Sequence, residues 1–186
     1  GEREQGRAAA ITRGLARHKS GEQPGALEDF KKAAELDPNS YLAFYYQAKA
    51  QVALGDYQGA LHNFTRAVEI KPDYGDVYYE RGLLKHQLGN YDGARIDYNA
   101  AVNYNPGAYY NYNSRGITRL TLKDYPGAIA DFTKTLVLYP GFGESYYQRG
   151  LARLALNDKS GACADWNQAL QLAYPQAQGM INQHCR

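Results

Sequence analysis

Methionine and tryptophan occur once each in 186 residues, cysteine twice and histidine four times. No apolar run approaches the roughly 18 residues that a membrane-crossing helix needs, so membrane insertion by this segment is not expected. A formal net charge of +2 is far from the basic footprint of a dedicated nucleic-acid binder, and no nucleic-acid partner is expected. No nucleophile elbow, phosphate loop, HExxH helix or paired CxxC occurs. His18, His62, His86 and His184 are scattered, without the four-ligand cluster of a zinc site. These absences point away from an enzyme, a metal or a cofactor. The opening GEREQG is neither a signal peptide nor a methionine start, so the chain is expected to be trimmed, and any export signal or lipid anchor of its precursor would lie out of view.

What is present is tyrosine, 18 residues against five phenylalanines, and a ten-letter stretch written five times. GEQPGALEDF at 21, GDYQGALHNF at 55, GNYDGARIDY at 89, KDYPGAIADF at 123 and NDKSGACADW at 157 follow one another at steps of 34. Other columns keep the period: Pro38, Pro72, Pro106 and Pro140; Gly14, Gly82, Gly116 and Gly150; Ala26, Ala60, Ala94, Ala128 and Ala162; and the aromatic Phe30, Phe64, Tyr98, Phe132 and Trp166. A fixed period of this length signals stacked supersecondary units. Within residues 75–108, Tyr78 and Gly82 fall on one helical face, GNYDG breaks the chain, and Ala94, Tyr98 and Ala101 fall on a second. Small residues let the two helices approach while the aromatic ring fills the space beside them. Pro106 then ends the unit. Asp56, Asp124 and Asp158, between helices, suit capping of the next one.

The glycine, alanine, aromatic and proline columns resemble the signature of the tetratricopeptide repeat, of bacterial type. The resemblance covers residues 7–40, 41–74, 75–108, 109–142 and 143–176, with residues 1–6 expected to be a disordered leading segment and 177–186 a capping helix. It implies an all-α fold, a right-handed α-solenoid of five helix-turn-helix units, because each pair exposes an apolar face that only a neighbour covers. In the lid, Ala177, Met180, Ile181 and Cys185 share one face.

One departure from the family is consistent. Where leucine is usual before the first-helix glycine, this chain has Arg13, Gln47, Arg81, Arg115 and Arg149; sixteen residues later stand Asp29, Asn63, Asp97, Asp131 and Asp165. The unit with a neutral first residue has a neutral second. This reads as ion pairs Arg13–Asp29, Arg81–Asp97, Arg115–Asp131 and Arg149–Asp165 within units, replaced by Gln47 with Asn63, because a half-buried arginine without its carboxylate is costly. Pairing across adjacent units and ligand contact by the arginines are the alternatives. Five glycines before the alanine column, Gly25, Gly59, Gly93, Gly127 and Gly161, suit close packing or a tight turn at the second helix.

If the lid runs back antiparallel to the last helix, Cys163 and Cys185 both sit about ten residues from the turn, at similar heights given about 1.5 Å of rise per residue. A disulfide is expected; two thiols packed side by side are the alternative. The disulfide favours an exported, periplasmic setting over the cytoplasm.

The resemblance further implies that first helices line a concave, partner-binding groove. Projected onto this chain, its places include Tyr45 and Lys49, then Tyr79, Leu83 and His86, then Tyr110 and Asn113, then Tyr147, together with Ile11, Leu42, Asp76, Ile117 and Glu144. Tyr78, Tyr112 and Tyr146 are expected in the core, and Tyr57, Tyr91 and Tyr125 in the turn between helices. Tyrosine offers a stiff contact area with a polar tip; packing along the repeat stack is the competing use. The family's chaperone-tail clamp is not matched, because Ile11, Leu15, Tyr46, Asp76 and Glu80 stand where donors to a carboxylate are needed. The expected function is a scaffold that holds a peptide or helix of a protein partner, with a self-assembling homo-oligomer as the alternative and RNA binding less expected.

Overall fold

The structure is a computed structural model that describes residues 1–186. Eleven helices follow one another: α1 (Glu2–Ser20), α2 (Gln23–Leu36), α3 (Tyr41–Leu54), α4 (Tyr57–Ile70), α5 (Gly75–Gln87), α6 (Tyr91–Tyr104), α7 (Tyr109–Thr121), α8 (Tyr125–Leu138), α9 (Gly143–Ala155), α10 (Lys159–Gln171) and α11 (Ala177–His184). There are no strands. The chain divides into two compact units, Gly1–Leu84 and Lys85–Arg186, with the division inside α5.

Local chemistry sets each boundary. α4, α6, α8 and α10 are capped by Asp56, Asn90, Asp124 and Asp158, whose side chains accept from the amides of Gly59, Gly93, Gly127 and Gly161. The same bond explains those glycines. A Cβ at Gly127 would lie 2.2 Å from Asp124 Oδ2, and one at Gly161 2.1 Å from Asp158 Oδ2, so the carboxylate folds over space that any side chain would take. Tyr57, Tyr91 and Tyr125 are the first helical residues of α4, α6 and α8 rather than members of the turn.

Residues 1–6 are not a disordered leader: all but Gly1 belong to α1. Glu2 and Glu4 suit the positive end of the helix dipole. Arg7 pairs with Asp37 at 2.6 Å and Gly6 lies against Leu36, which holds the first turns onto α2.

In the first unit the core runs along the aromatic column. Phe30 is fully buried with Ala26 and Ala50, and Phe64 with Ala60, Ala67, Val77 and Leu84. In the second, Phe132 packs with Ala128 and Ala152, and Trp166 with Ala162, Ala169 and Ala177. The first-helix glycines make room for these rings: a Cβ at Gly14 would come within 2.5 Å of Phe30, at Gly116 within 2.7 Å of Phe132, and at Gly150 within 2.4 Å of Trp166. α11 covers α10 through Ala177, Met180 and Ile181, and a disulfide joins Cys163 to Cys185.

Candidate functional site

The arginine column is built into the repeats. Arg115 places Nε 3.0 Å from Asp131 Oδ2 and Nη2 2.8 Å from Oδ1; Arg149 holds Asp165 the same way at 2.9 and 2.8 Å. Arg13 engages Asp29 through Oδ1 alone, at 2.9 and 2.6 Å, and its guanidinium holds the buried Asp29 carboxyl below the usual carboxylate range. Each of these aspartates also takes a second cation from one helical turn on: Arg17 at 3.0 Å, Arg119 at 3.0 Å and Arg153 at 2.8 Å, while Lys85 reaches Asp97 at 3.0 Å. Sequence reasoning missed that column, although Arg17, Gln51, Lys85, Arg119 and Arg153 also step by 34. In the neutral unit it corrects the expected pairing, because Asn63 donates to Gln51 at 2.6 Å rather than to Gln47. Two neutral amides and an asparagine there replace two cations and a carboxylate.

The same arginines tie successive repeats. Arg81 Nη1 donates to Thr65 at 3.2 Å, Arg115 Nη1 to Asn99 at 3.1 Å and Arg149 Nη1 to Thr133 at 3.1 Å, each sixteen residues back on the preceding second helix. Their guanidinium groups lie over Tyr78, Tyr112 and Tyr146, and the hydroxyls of Tyr78 and Tyr112 donate to the carbonyls of Pro72 and Pro106. For Arg81, Arg115 and Arg149 these bonds lie within the repeat stack.

The expected partner-facing residues divide. Tyr45 is only 5 % exposed: its ring meets Tyr46 at 5.0 Å, Tyr74 edge-on at 5.6 Å and Phe64 at 6.2 Å. Asn113, 6 % exposed, accepts from the Ser145 hydroxyl at 2.7 Å. Neither offers a contact surface, because packing along the stack has taken both. Tyr147 is half-buried, with its ring 5.2 Å from Tyr174 and its carbonyl accepting from Trp166 Nε1. His86 is half-buried as well; its Nδ1 lies 2.9 Å from Thr118 Oγ1 and its ring is edge-on to Tyr91 at 5.0 Å. The Thr118 hydroxyl also lies 3.1 Å from the Ser114 carbonyl oxygen, to which it can donate. Burial lowers the His86 pKa. Tyr79 and Tyr110 are partly exposed and Leu83 is exposed.

In the first unit these residues form an aromatic and acidic surface. Tyr41, Tyr45, Tyr46 and Tyr74 make one ring cluster, with Tyr41 edge-on to Tyr74 at 5.1 Å and Tyr46 stacked on Phe30 at 5.4 Å. Asp76 is hydrogen-bonded to Tyr74. Glu80 pairs with Lys49 at 3.5 Å, and the Lys49 ammonium sits over the Tyr45 ring. Burial and the neighbouring Asp76 raise the pKa of both Tyr46 and Tyr74, which keeps their hydroxyls neutral. Tyr46 and Tyr74 were missed as surface residues; the signal was a run of rings at 41, 44, 45, 46 and 74. The second unit has a smaller counterpart, where burial raises the pKa of Glu144 against the stabilising Asn113 amide, near Tyr147 and Tyr174.

The tetratricopeptide repeat model matches residues 45–109 and 113–178. The sequence matches no curated protein. Among solved structures, MamA of Desulfovibrio magneticus RS-1 is 20% identical with a TM-score of 0.83, covering 92% of this chain and 97% of that one. PilF of Pseudomonas aeruginosa is 20% identical with a TM-score of 0.82, covering 92% and 78%. YrrB, described as a TPR protein with an unusual peptide-binding site, is 21% identical with a TM-score of 0.78, covering 88% and 84%.

Proposed function

Because the chain belongs to the tetratricopeptide repeat family, a fold that serves as a protein-interaction scaffold, we propose that its first helices hold a segment of a partner protein. The observation that carries this reading is the first unit's surface, where half-buried Tyr46 and Tyr74 stand beside Asp76 and Glu80 with Lys49 as counter-charge. Neutral phenols on a rigid ring cluster suit apolar side chains, and two carboxylates beside π-faces suit a cation. The segment so described is a peptide or helix with an arginine or lysine set between apolar residues. A peptide-binding site described for YrrB, which shares this fold, supports the same reading.

Selection from a random peptide library on the immobilised chain tests it. Basic residues flanked by apolar ones should be enriched, and the enrichment should fade on an Asp76→Asn, Glu80→Gln variant. No enrichment, or the same motif on both, would contradict the proposal.

We further propose an exported, oxidising setting, on the strength of the Cys163–Cys185 bond. Alkylation of thiols in freshly lysed native cells should leave both cysteines unmodified before reduction. Two alkylated cysteines at that stage would place the protein in a reducing compartment.

A further inference from the structure

In the second unit one half-buried carboxylate has no cation. Asp97 pairs with Lys85, Asp124 with Arg119, Asp131 with Arg115 and Arg119, and Asp165 with Arg149 and Arg153. Those four and Glu144 are the acidic residues of this unit that are shielded from full exposure. Burial raises the Glu144 pKa and only the Asn113 amide opposes the rise, so no positive charge of the unit answers this one. Its carboxylate is nonetheless held in place. It stands in the first turn of α9, where the helix dipole favours an anion. The oxygen of buried Asn113 accepts from the Ser145 hydroxyl at 2.7 Å, which leaves the amide nitrogen for Glu144. Tyr174 is fixed alongside: its amide donates to the Ala169 carbonyl at 3.0 Å, and a Cβ at Gly143 would lie 3.2 Å from the Tyr174 Cβ. Its ring lies 5.2 Å from that of Tyr147, and Tyr147 follows Glu144 by one helical turn on the same face. Burial and the Glu144 charge together raise the Tyr174 pKa.

The first unit shows what a carboxylate and a tyrosine ring take up together. The Lys49 ammonium lies 3.5 Å from Glu80 and 5.5 Å from the centre of the Tyr45 ring. That of Lys71 lies 3.3 Å from Asp73 and 5.5 Å from the centre of the Tyr41 ring. In the second unit the repeat places Ile117 and Leu151 where the first has Lys49. The carboxylate and the rings are present there, and the ammonium is not.

We propose that Glu144, Tyr147 and Tyr174 bind a primary alkyl ammonium, presented as a lysine side chain of a partner protein. The carboxylate supplies the opposite charge and the rings a cation–π attraction. Half-buried Leu151, seven residues after Glu144 on the same helical face, supplies an apolar bed for the methylene stem. An ammonium fits better than a guanidinium, because Asn113 already engages the carboxylate, whereas a two-pronged arginine contact needs both oxygens. A lysine within a polypeptide fits better than the free amino acid, whose own carboxylate Glu144 would repel. The site uses neither Asp76 nor Glu80 and stands whether or not the first unit's surface binds a segment.

The test follows the Asn113 side-chain amide and the backbone amides of Glu144 and Tyr174 by NMR in the isotope-labelled full chain, disulfide intact, at constant ionic strength. N-acetyl-lysine methylamide should shift them saturably, with a dissociation constant on the order of 1 mM, and the uncharged norleucine analogue should not. Glu144→Gln, which keeps an acceptor for Asn113, should abolish the response, and Tyr147→Leu should weaken it several-fold. The Asp76→Asn, Glu80→Gln chain should respond as the parent does, so this site and the first unit's surface fail separately. No saturable shift up to about 50 mM, an equal response in the Glu144→Gln chain, or tighter binding of the arginine analogue would overturn the proposal. Tighter binding of free lysine would assign the site to a free amine and overturn the choice of a protein partner.

Discussion

Arg149 grips Asp165 with two nitrogens, Nε at 2.9 Å from one carboxylate oxygen and Nη2 at 2.8 Å from the other, while Arg153 closes on the first oxygen at 2.8 Å. One buried carboxylate thus bridges two partly buried guanidinium groups and fixes two helices of a repeat at a set height. Asp165→Asn should cost about 3 kcal/mol, because it strands both cations away from water. Urea unfolding should show a lower midpoint with an unchanged slope. Asp29→Asn should cost less, since Arg13 is largely exposed and can rehydrate.

The capped glycines make a sharper test. Alanine in a helix ordinarily gains about 1 kcal/mol over glycine. At Gly127 the new Cβ would strike the Asp124 carboxylate, so Gly127→Ala should instead destabilise by about 1 kcal/mol. In the Asp124→Ala background, where the cap is already lost, the same change should become neutral or stabilising. A double-mutant cycle measures the difference; additivity would show that the glycine has another cause.

Stability should also fall on mild acidification. Burial lowers the pKa of folded His86, so between that value and the unfolded value of about 6.5 the unfolded chain binds more protons. Stability contributed by neutral His86 is full above the unfolded pKa and is lost as pH falls through the window. The urea midpoint should drop between pH 7.5 and 5.5 in the parent, and drop less in His86→Gln. The other three histidines are common to both chains, so the difference isolates this one. Asp29, held low by Arg13, contributes stability that is present above about pH 3.9 and is lost only in stronger acid.

Reduction should act locally. The Cys163–Cys185 bond closes a 22-residue separation, for which the chain-entropy relation gives about 3 kcal/mol. A Cys163→Ser, Cys185→Ser chain should exchange the amides of α11 much faster while those of α3 and α4 keep their protection. Equal protection of α11 in both chains would show that Ala177, Met180 and Ile181 hold the lid unaided.

The architecture was legible because the period repeats chemistry that acts locally: proline loops, small residues facing rings, carboxylates at helix starts. Less legible was which side of a tyrosine-bearing helix would close. Tyr45 and Tyr46 are adjacent, yet one is enclosed by Tyr74 and Phe64 and the other stays half open. Their difference comes from the ring at Tyr74, which precedes α5, and no pattern within α3 encodes it. The second cation column was readable and was masked by its mixture of Arg, Gln and Lys. The helical start of α1 was hidden because it stands where the other repeats carry a loop.

The central claim, that Asp76 and Glu80 beside the tyrosine cluster bind a basic and apolar segment, is tested most directly by calorimetric titration of a library-selected peptide. The parent and the Asp76→Asn, Glu80→Gln chain would be compared at two salt concentrations. Loss of the carboxylates should weaken binding about tenfold, or roughly 1.4 kcal/mol, and should flatten its salt dependence. Equal affinity and equal salt dependence in the two chains would contradict the account.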